Sequence, residues 1–225
     1  MRKTLASLLI PLLLLAGCQG EAGVLPGGGE LTAEEEARQV RADYLAAGSC
    51  SGTAEVAADY GQRVYEFGLD FSWAQDGETV LTLTAPEDLA GLTARVEQGR
   101  SRLEFDGITL DTGELTGEGL TPLELVPALM EWTRTGFMAQ CVYENLDEVP
   151  ALRVQFRDPD MQAGTGTECA AWFARTSHAL LRAELFWNGE LVLSGKFTNF
   201  TLGVDGNGDE QGPDLGGGTP GEPGA

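Results

Sequence analysis

From Tyr65 to Trp73 the chain alternates between two chemistries: Tyr65, Phe67, Leu69, Phe71 and Trp73 are apolar, and Glu66, Gly68, Asp70 and Ser72 between them are not. A period of two places every second side chain on one face of a β-strand, so this segment belongs in a sheet with an almost wholly aromatic face turned from water. Asp76-Gly77 follows as a two-residue hairpin signal and Val80 to Ala85 as the return strand. Before it, Ala54, Val56, Ala58 and Tyr60 repeat the same period. Further short strands are expected at 92–97, 102–105 and 108–110, and later at 137–145, 151–156, 169–174, 181–187 and 191–200, with Asp106-Gly107 and Asn188-Gly189 as turns. The total is about ten or eleven strands joined by sequential hairpins, which implies an antiparallel meander with a tendency to curl.

Two helices interrupt the strands. Thr32-Ala33-Glu34-Glu35 has the form of a capping box and opens a helix to about Ala47, with Ala33, Ala37, Val40, Tyr44 and Ala47 on one face and Gly48 as the stop. Thr121-Pro122-Leu123-Glu124 is a second capping box, although Pro127 disfavours helix at Val126 and can move the start there. That helix presents Leu129, Met130, Trp132 and Thr133 and ends at Gly136. The fold class is α+β.

The N-terminus carries an address. Met1-Arg2-Lys3-Thr4 is a short basic start, Leu5 to Leu15 is apolar but too short to span a bilayer, and Leu15-Ala16-Gly17-Cys18 resembles a bacterial lipobox. Residues 1–17 therefore read as a lipoprotein signal peptide. Acyl chains on Cys18 would anchor the protein to a membrane on its extracytoplasmic face, each buried CH₂ contributing about 0.8 kcal/mol. Residues 18–30 form a Gly-rich tether, 31–203 the domain, and 204–225 an acidic tail rich in Gly and Pro that lacks the apolar residues to order itself. Gln19 is not the retention-type Asp, which leaves open which membrane holds the anchor.

The order helix, strands, helix, strands carries a resemblance. So do Thr-Ala-Pro-Glu-Asp-Leu-Ala-Gly-Leu-Thr-Ala at 84–94 and the closing hairpin Ala-Glu-Leu-Phe-Trp-Asn-Gly-Glu-Leu-Val-Leu-Ser-Gly-Lys-Phe-Thr-Asn-Phe at 183–200. Together they are similar to the lipoprotein-carrier superfamily of the LolA and LolB type. The resemblance implies a curved antiparallel half-barrel with the two helices covering its concave face and acyl chains held between. The shuttling carrier of that superfamily is unacylated, whereas Cys18 reads as acylated, so the resemblance points to a membrane-retained lipid binder. The implied lining is Tyr65, Phe67, Leu69, Phe71 and Trp73 opposed by Val40, Tyr44, Leu129, Met130 and Trp132. The competing reading is that these residues fill a dry core, as one-faced strands over helices do in any protein.

Chemistry-bearing groups are sparse. The formal charge is -21, from 35 acidic and 14 basic side chains, which excludes nucleic-acid binding through a basic face. With Cys18 acylated, Cys50, Cys141 and Cys169 permit three single disulfides and leave one thiol over. Cys141 and Cys169 fall on strands separated by a third, about 9 to 10 Å apart and beyond disulfide reach, so Cys50 pairs with one of them or none pairs. No Cys-x₂-Cys unit is present and His178 is the one histidine, so neither zinc nor any cofactor is expected. His178 reads as a solvated turn residue, not a partner for Ser177. Asp205-Gly206-Asn207-Gly208-Asp209 begins like a calcium loop but continues with Glu210 and Gly216 where Gly and Glu are required. No catalytic residue is nominated. The expectation is an envelope lipoprotein that binds a lipid, an acylated protein or another apolar ligand, or helps to place lipoproteins or lipids; the alternative is a non-enzymatic interaction scaffold of the envelope with a dry core.

Overall fold

A computed structural model describes residues 30–114 and 121–204. Helix α1 (Ala33–Ala46) is followed by β1 (Ala47–Asp59), β2 (Val64–Ala74), β3 (Thr79–Ala85), β4 (Thr93–Glu97), β5 (Arg100–Phe105) and β6 (Ile108–Glu114). A one-turn 3₁₀ segment (Pro122–Glu124) leads into α2 (Leu125–Thr135), and β7 (Phe137–Leu146), β8 (Val149–Arg157), β9 (Thr167–Ala174), β10 (Leu180–Trp187) and β11 (Glu190–Val204) complete the order. All the strands form one antiparallel, curved and unclosed sheet ordered β6-β5-β4-β3-β2-β1-β11-β10-β9-β8-β7.

The sheet is two meanders joined at a central seam, where β1 pairs with β11 from Ala47 opposite Val204 to Ala58 opposite Leu193. Its free edges, β6 and β7, are the strands on either side of α2 in sequence, so the chain leaves one edge and returns at the other. Eleven strands laid flat would be about 48 Å wide, whereas α2 is about 16 Å long. The helix packs at the middle of the sheet, with Met130 beside Cys50, Arg134 over Trp73 and Leu125 near Gly195.

The local signals act largely as physics dictates. The Glu35 amide donates to Thr32 Oγ1 at 3.3 Å, and the Thr32 amide donates to Glu35 Oε2 at 2.9 Å, closing the capping box. Asp106-Gly107 (φ 49° and 77°) and Asn188-Gly189 (φ 50° and 80°) take up the left-handed pair of conformations that a two-residue hairpin needs. Several positions differ from expectation. Helix α1 hands over to β1 at Ala47, ahead of Gly48, because Ala47 already pairs with Val204. The β2–β3 turn is centred on Gln75-Asp76, with the Gly77 amide donating to the Ala74 carbonyl at 3.3 Å, so Gly77 occupies the last turn position. Tyr60 lies beyond the end of β1. Pro127 stands in the first turn of α2, where a missing N–H costs nothing, and the helix begins at Leu125.

One apolar cluster joins the inward residues of α1 and α2 to one face of the sheet. It contains Val40 and Tyr44 of α1, Leu125, Leu129 and Met130 of α2, and alternate residues of strands from both meanders, such as Phe71, Leu81, Phe156, Phe173, Leu185 and Leu193. Edge-to-face contacts organise it: Tyr44 against Phe173 with centroids 5.4 Å apart, and Phe71 against Phe197 at 5.7 Å. A smaller cluster of Ala151, Ala170 and Trp172 occupies the opposite face of β8 and β9.

Candidate functional site

Strand β2 carries the aromatic face, and its burial changes along its length. Leu69, Phe71 and Trp73 are 3%, 4% and 8% exposed, whereas Phe67 is half-buried and Tyr65 is 40% exposed. Residues of α1 and α2 pack with the Leu69, Phe71 and Trp73 part of the strand. Val40, Tyr44, Leu129 and Met130 pack there with Leu69, Phe71 and Trp73 in the central cluster, and Trp132 packs against it half-buried. Met130 Sδ lies 3.7 Å from Cys50 Sγ, and the Arg134 guanidinium sits 5.3 Å above the Trp73 ring. The Tyr65 end is different. Tyr65 and Phe67 stack nearly parallel (6° between planes, centroids 6.4 Å), Tyr60 meets Tyr65 edge-on at 6.1 Å, and the Arg63 guanidinium lies 5.5 Å over the Tyr65 ring. Burial, followed by the charge of nearby Glu124, pushes the Tyr60 hydroxyl above its ordinary pKa, which sets the segment leading into α2 beside this ladder. The ten lining candidates thus divide: seven lie in the packed interior, Trp132 flanks it, and Tyr65 and Phe67 form a more exposed aromatic ladder.

The same gradient appears across the strands. Phe71 stands opposite Leu81, Leu81 opposite Ala94, Ala94 opposite Leu103 and Leu103 opposite Leu110, a single apolar row that starts in the core and ends on the edge strand. Leu110 is 60% exposed and its neighbour Ile108 72%. The apolar face of the sheet therefore extends from the buried core to exposed residues of the edge strand.

Polar groups fasten α1 to the second meander, and sequence reasoning missed most of them. Glu36 is a buried carboxylate; its Oε2 lies 2.8 Å from the Tyr143 hydroxyl and accepts from Arg175 Nε and Nη2 at 3.2 Å each, and its Oε1 is buried with no hydrogen-bond partner. The Arg175 guanidinium also covers the Tyr143 ring at 3.8 Å. Arg41 donates to the carbonyls of Thr133, at 3.1 Å, and Gly136, satisfying the end of α2. His178 is not a solvated turn residue. Its side chain is 16% exposed, with Nδ1 2.5 Å from Asp43 Oδ2, while its carbonyl accepts from the Tyr44 hydroxyl at 3.2 Å. The signal for Glu36 was present, since it precedes Val40 and Tyr44 at spacings of four and eight on the buried face.

Cys50, Cys141 and Cys169 are free thiols. Burial pushes the Cys50 thiol up to about 12 and raises Cys169 further still; Cys141, half-buried, is raised mainly by burial and next by Glu34. Cys141 pairs with Val154 and Cys169 with Phe156 on the two sides of β8, which agrees with the separation expected for them. Among the described residues no cluster of three His, Cys, Asp or Glu side chains could hold a metal, and no helix is long and apolar enough to cross a membrane. Cys18 and the loop at 205–216 lie outside the described residues.

No protein-family model and no curated protein matches the chain. Solved structures do. A LolA superfamily protein from Nitrosomonas europaea is similar over 76% of this chain and 94% of its own, at 10% identity and a TM-score of 0.43. The Mycobacterium tuberculosis lipoprotein LppX is similar over 77% and 98%, at 14% identity and 0.41, and LprF from Mycobacterium bovis over 77% and 96%, at 11% and 0.41.

Proposed function

We propose that this chain is an envelope lipoprotein, held at the extracytoplasmic face of a membrane by acyl chains on Cys18, whose half-barrel binds a lipid or another apolar ligand on the concave face that the two helices cover. The observation that carries the reading is the ladder Tyr60, Tyr65 and Phe67, which continues the buried face of β2 into partly exposed aromatic surface. Aromatic rings left uncovered at the open end of an apolar layer lose their contact with water when an acyl chain lies on them, at about 25 cal/mol per Å² of apolar surface. Nothing in this role requires a chemical step, so we assign no catalytic residue. The leader-bearing chain, processed and purified from a lipid-containing cell, is to be examined by native mass spectrometry with organic extraction in parallel. A bound mass of several hundred daltons that extraction identifies as lipid, lost in Tyr65→Ser/Phe67→Ser, is the expected result.

A second reading has its own support. Val40, Tyr44, Leu129 and Met130 are each at most 2% exposed, as in a dry core. On that reading the domain is a non-enzymatic scaffold that meets other envelope components with its surface. A mass that stays free of ligand after phospholipid or acylated peptide is added selects it.

A further inference from the structure

Strand β1 has a second face. Thr53, Glu55 and Ala57 alternate with the buried Ala54, Val56 and Ala58, so they point away from the central cluster. Glu55 stands opposite Gly68 on one side and Lys196 on the other; Ala57 stands opposite Glu66 and Ser194. These residues line a cleft of about 740 Å³, walled by Thr84, Ala85 and Pro86 at the end of β3. The wall exists because the pairing of β2 with β3 shifts register between Gly68 and Leu69. Gly68 permits the close approach: a Cβ there would stand 2.9 Å from Thr84 Oγ1 and 3.2 Å from Ala85 Cβ. The volume falls within the range of about 300 to 1,000 Å³ typical of small-molecule sites.

The charges around the cleft are of both signs. Lys196 and Lys3 are the chain's two lysines, and Lys196 directly faces Glu55 across the seam. Among the described residues, no ion pair engages Lys196, Glu55 or Glu66. Other charges on the sheet are paired: Arg95 bridges Glu78 at 2.5 Å and Glu104 at 3.0 Å, and Arg182 meets Glu184 at 2.5 Å. An exposed ammonium and two carboxylates left unengaged around one cleft match a ligand that carries both charges itself.

We propose that this cleft binds a small zwitterion, an ammonium and a phosphate or carboxylate joined by a short linker. The anionic group lies against Lys196, the ammonium against Glu55 and Glu66, and the linker methylenes against Ala57, Ala85 and Pro86. The cleft's lining also takes in Ala54, Val56 and Phe67 of the inward-facing set, but the charged groups invoked here, Lys196, Glu55 and Glu66, belong to the opposite face of the sheet, so their role does not depend on the function proposed above. The same chemistry occurs free in solution and as the headgroup of a zwitterionic phospholipid.

The test uses the full chain with phosphoethanolamine, ethanolamine and inorganic phosphate as probes in calorimetric titration, and co-sedimentation with phosphatidylethanolamine or phosphatidylglycerol vesicles. Binding of phosphoethanolamine in preference to either half, or of phosphatidylethanolamine vesicles in preference to phosphatidylglycerol, is expected. The first outcome identifies a soluble ligand and the second alone a headgroup. Lys196→Gln and Glu55→Gln remove one charge each; Ala57→Leu keeps every charge and fills the cleft floor. Each variant should weaken binding about tenfold with the thermal midpoint unchanged. Equal binding of inorganic phosphate, indifference to all three substitutions, or no binding of phosphoethanolamine and phosphatidylethanolamine vesicles would overturn the proposal.

Discussion

Gly136 ends α2 with ordinary extended dihedrals, so its need for glycine is one of space and not of backbone conformation. A Cβ at this position would lie 2.6 Å from the Trp132 carbonyl oxygen and 2.5 Å from its ring, and the same Gly136 carbonyl accepts from Arg41. Gly136→Ala should therefore destabilise the fold by about 1 to 3 kcal/mol, read as a lower urea midpoint at unchanged m-value. The thiols supply a pH dependence. The folded state holds Cys50 at about 12 against an ordinary value of 9.0, so the unfolded chain loses that proton first as pH rises. The stabilisation is complete below about pH 9 and is lost as pH climbs towards 12, and the buried Tyr44 hydroxyl, also raised, acts in the same sense. Stability measured across that alkaline window should fall, and Cys50→Ala should flatten the fall whatever it does to stability at neutral pH. Neither feature could be read from the chain, because a tight glycine and a buried thiol are defined by what packs around them.

At the scale of elements, α1 is a helix by local signals and an integral part of the domain by tertiary ones. Its capping box and its Ala37, Val40, Tyr44 face were legible. Glu36 stands in the acidic first turn, where carboxylates suit the helix dipole, and its burial against Tyr143 and Arg175 follows only once β7 and the end of β9 are brought beside α1. Glu36→Ala removes the carboxylate from beneath a guanidinium that is 26% exposed and should cost about 2 to 4 kcal/mol, with Glu36→Gln intermediate, in chemical denaturation. Strand β2 shows the converse. Its period of two was unambiguous in sequence, yet the alternation that buries Phe71 is identical in form to that which leaves Tyr65 exposed. Periodicity reports the face of a strand, and tertiary packing decides how much of that face is dry.

The whole molecule is set by the seam between its first and last strands. Pairing β1 with β11 places the most distant parts of the domain in contact, leaves β6 and β7 as free edges, and sends α2 across the sheet. An exposed edge with Ile108 and Leu110 invites association, which a charge on that edge discourages. Leu110→Lys should raise the concentration at which the protein stays monodisperse in light scattering and change stability by no more than about 0.5 kcal/mol. The strand count, the two helices, the Asp106-Gly107 and Asn188-Gly189 hairpins and the α+β class follow from the sequence alone, because each depends on residues a few positions apart whose propensities and periods act locally. The position of the seam, the fastening of His178 to Asp43, the division of the aromatic strand into buried and exposed halves and the cleft beside Lys196 depend on segments far apart in the chain. Those were decided by tertiary packing, since only the folded arrangement of strands determines which side chains meet.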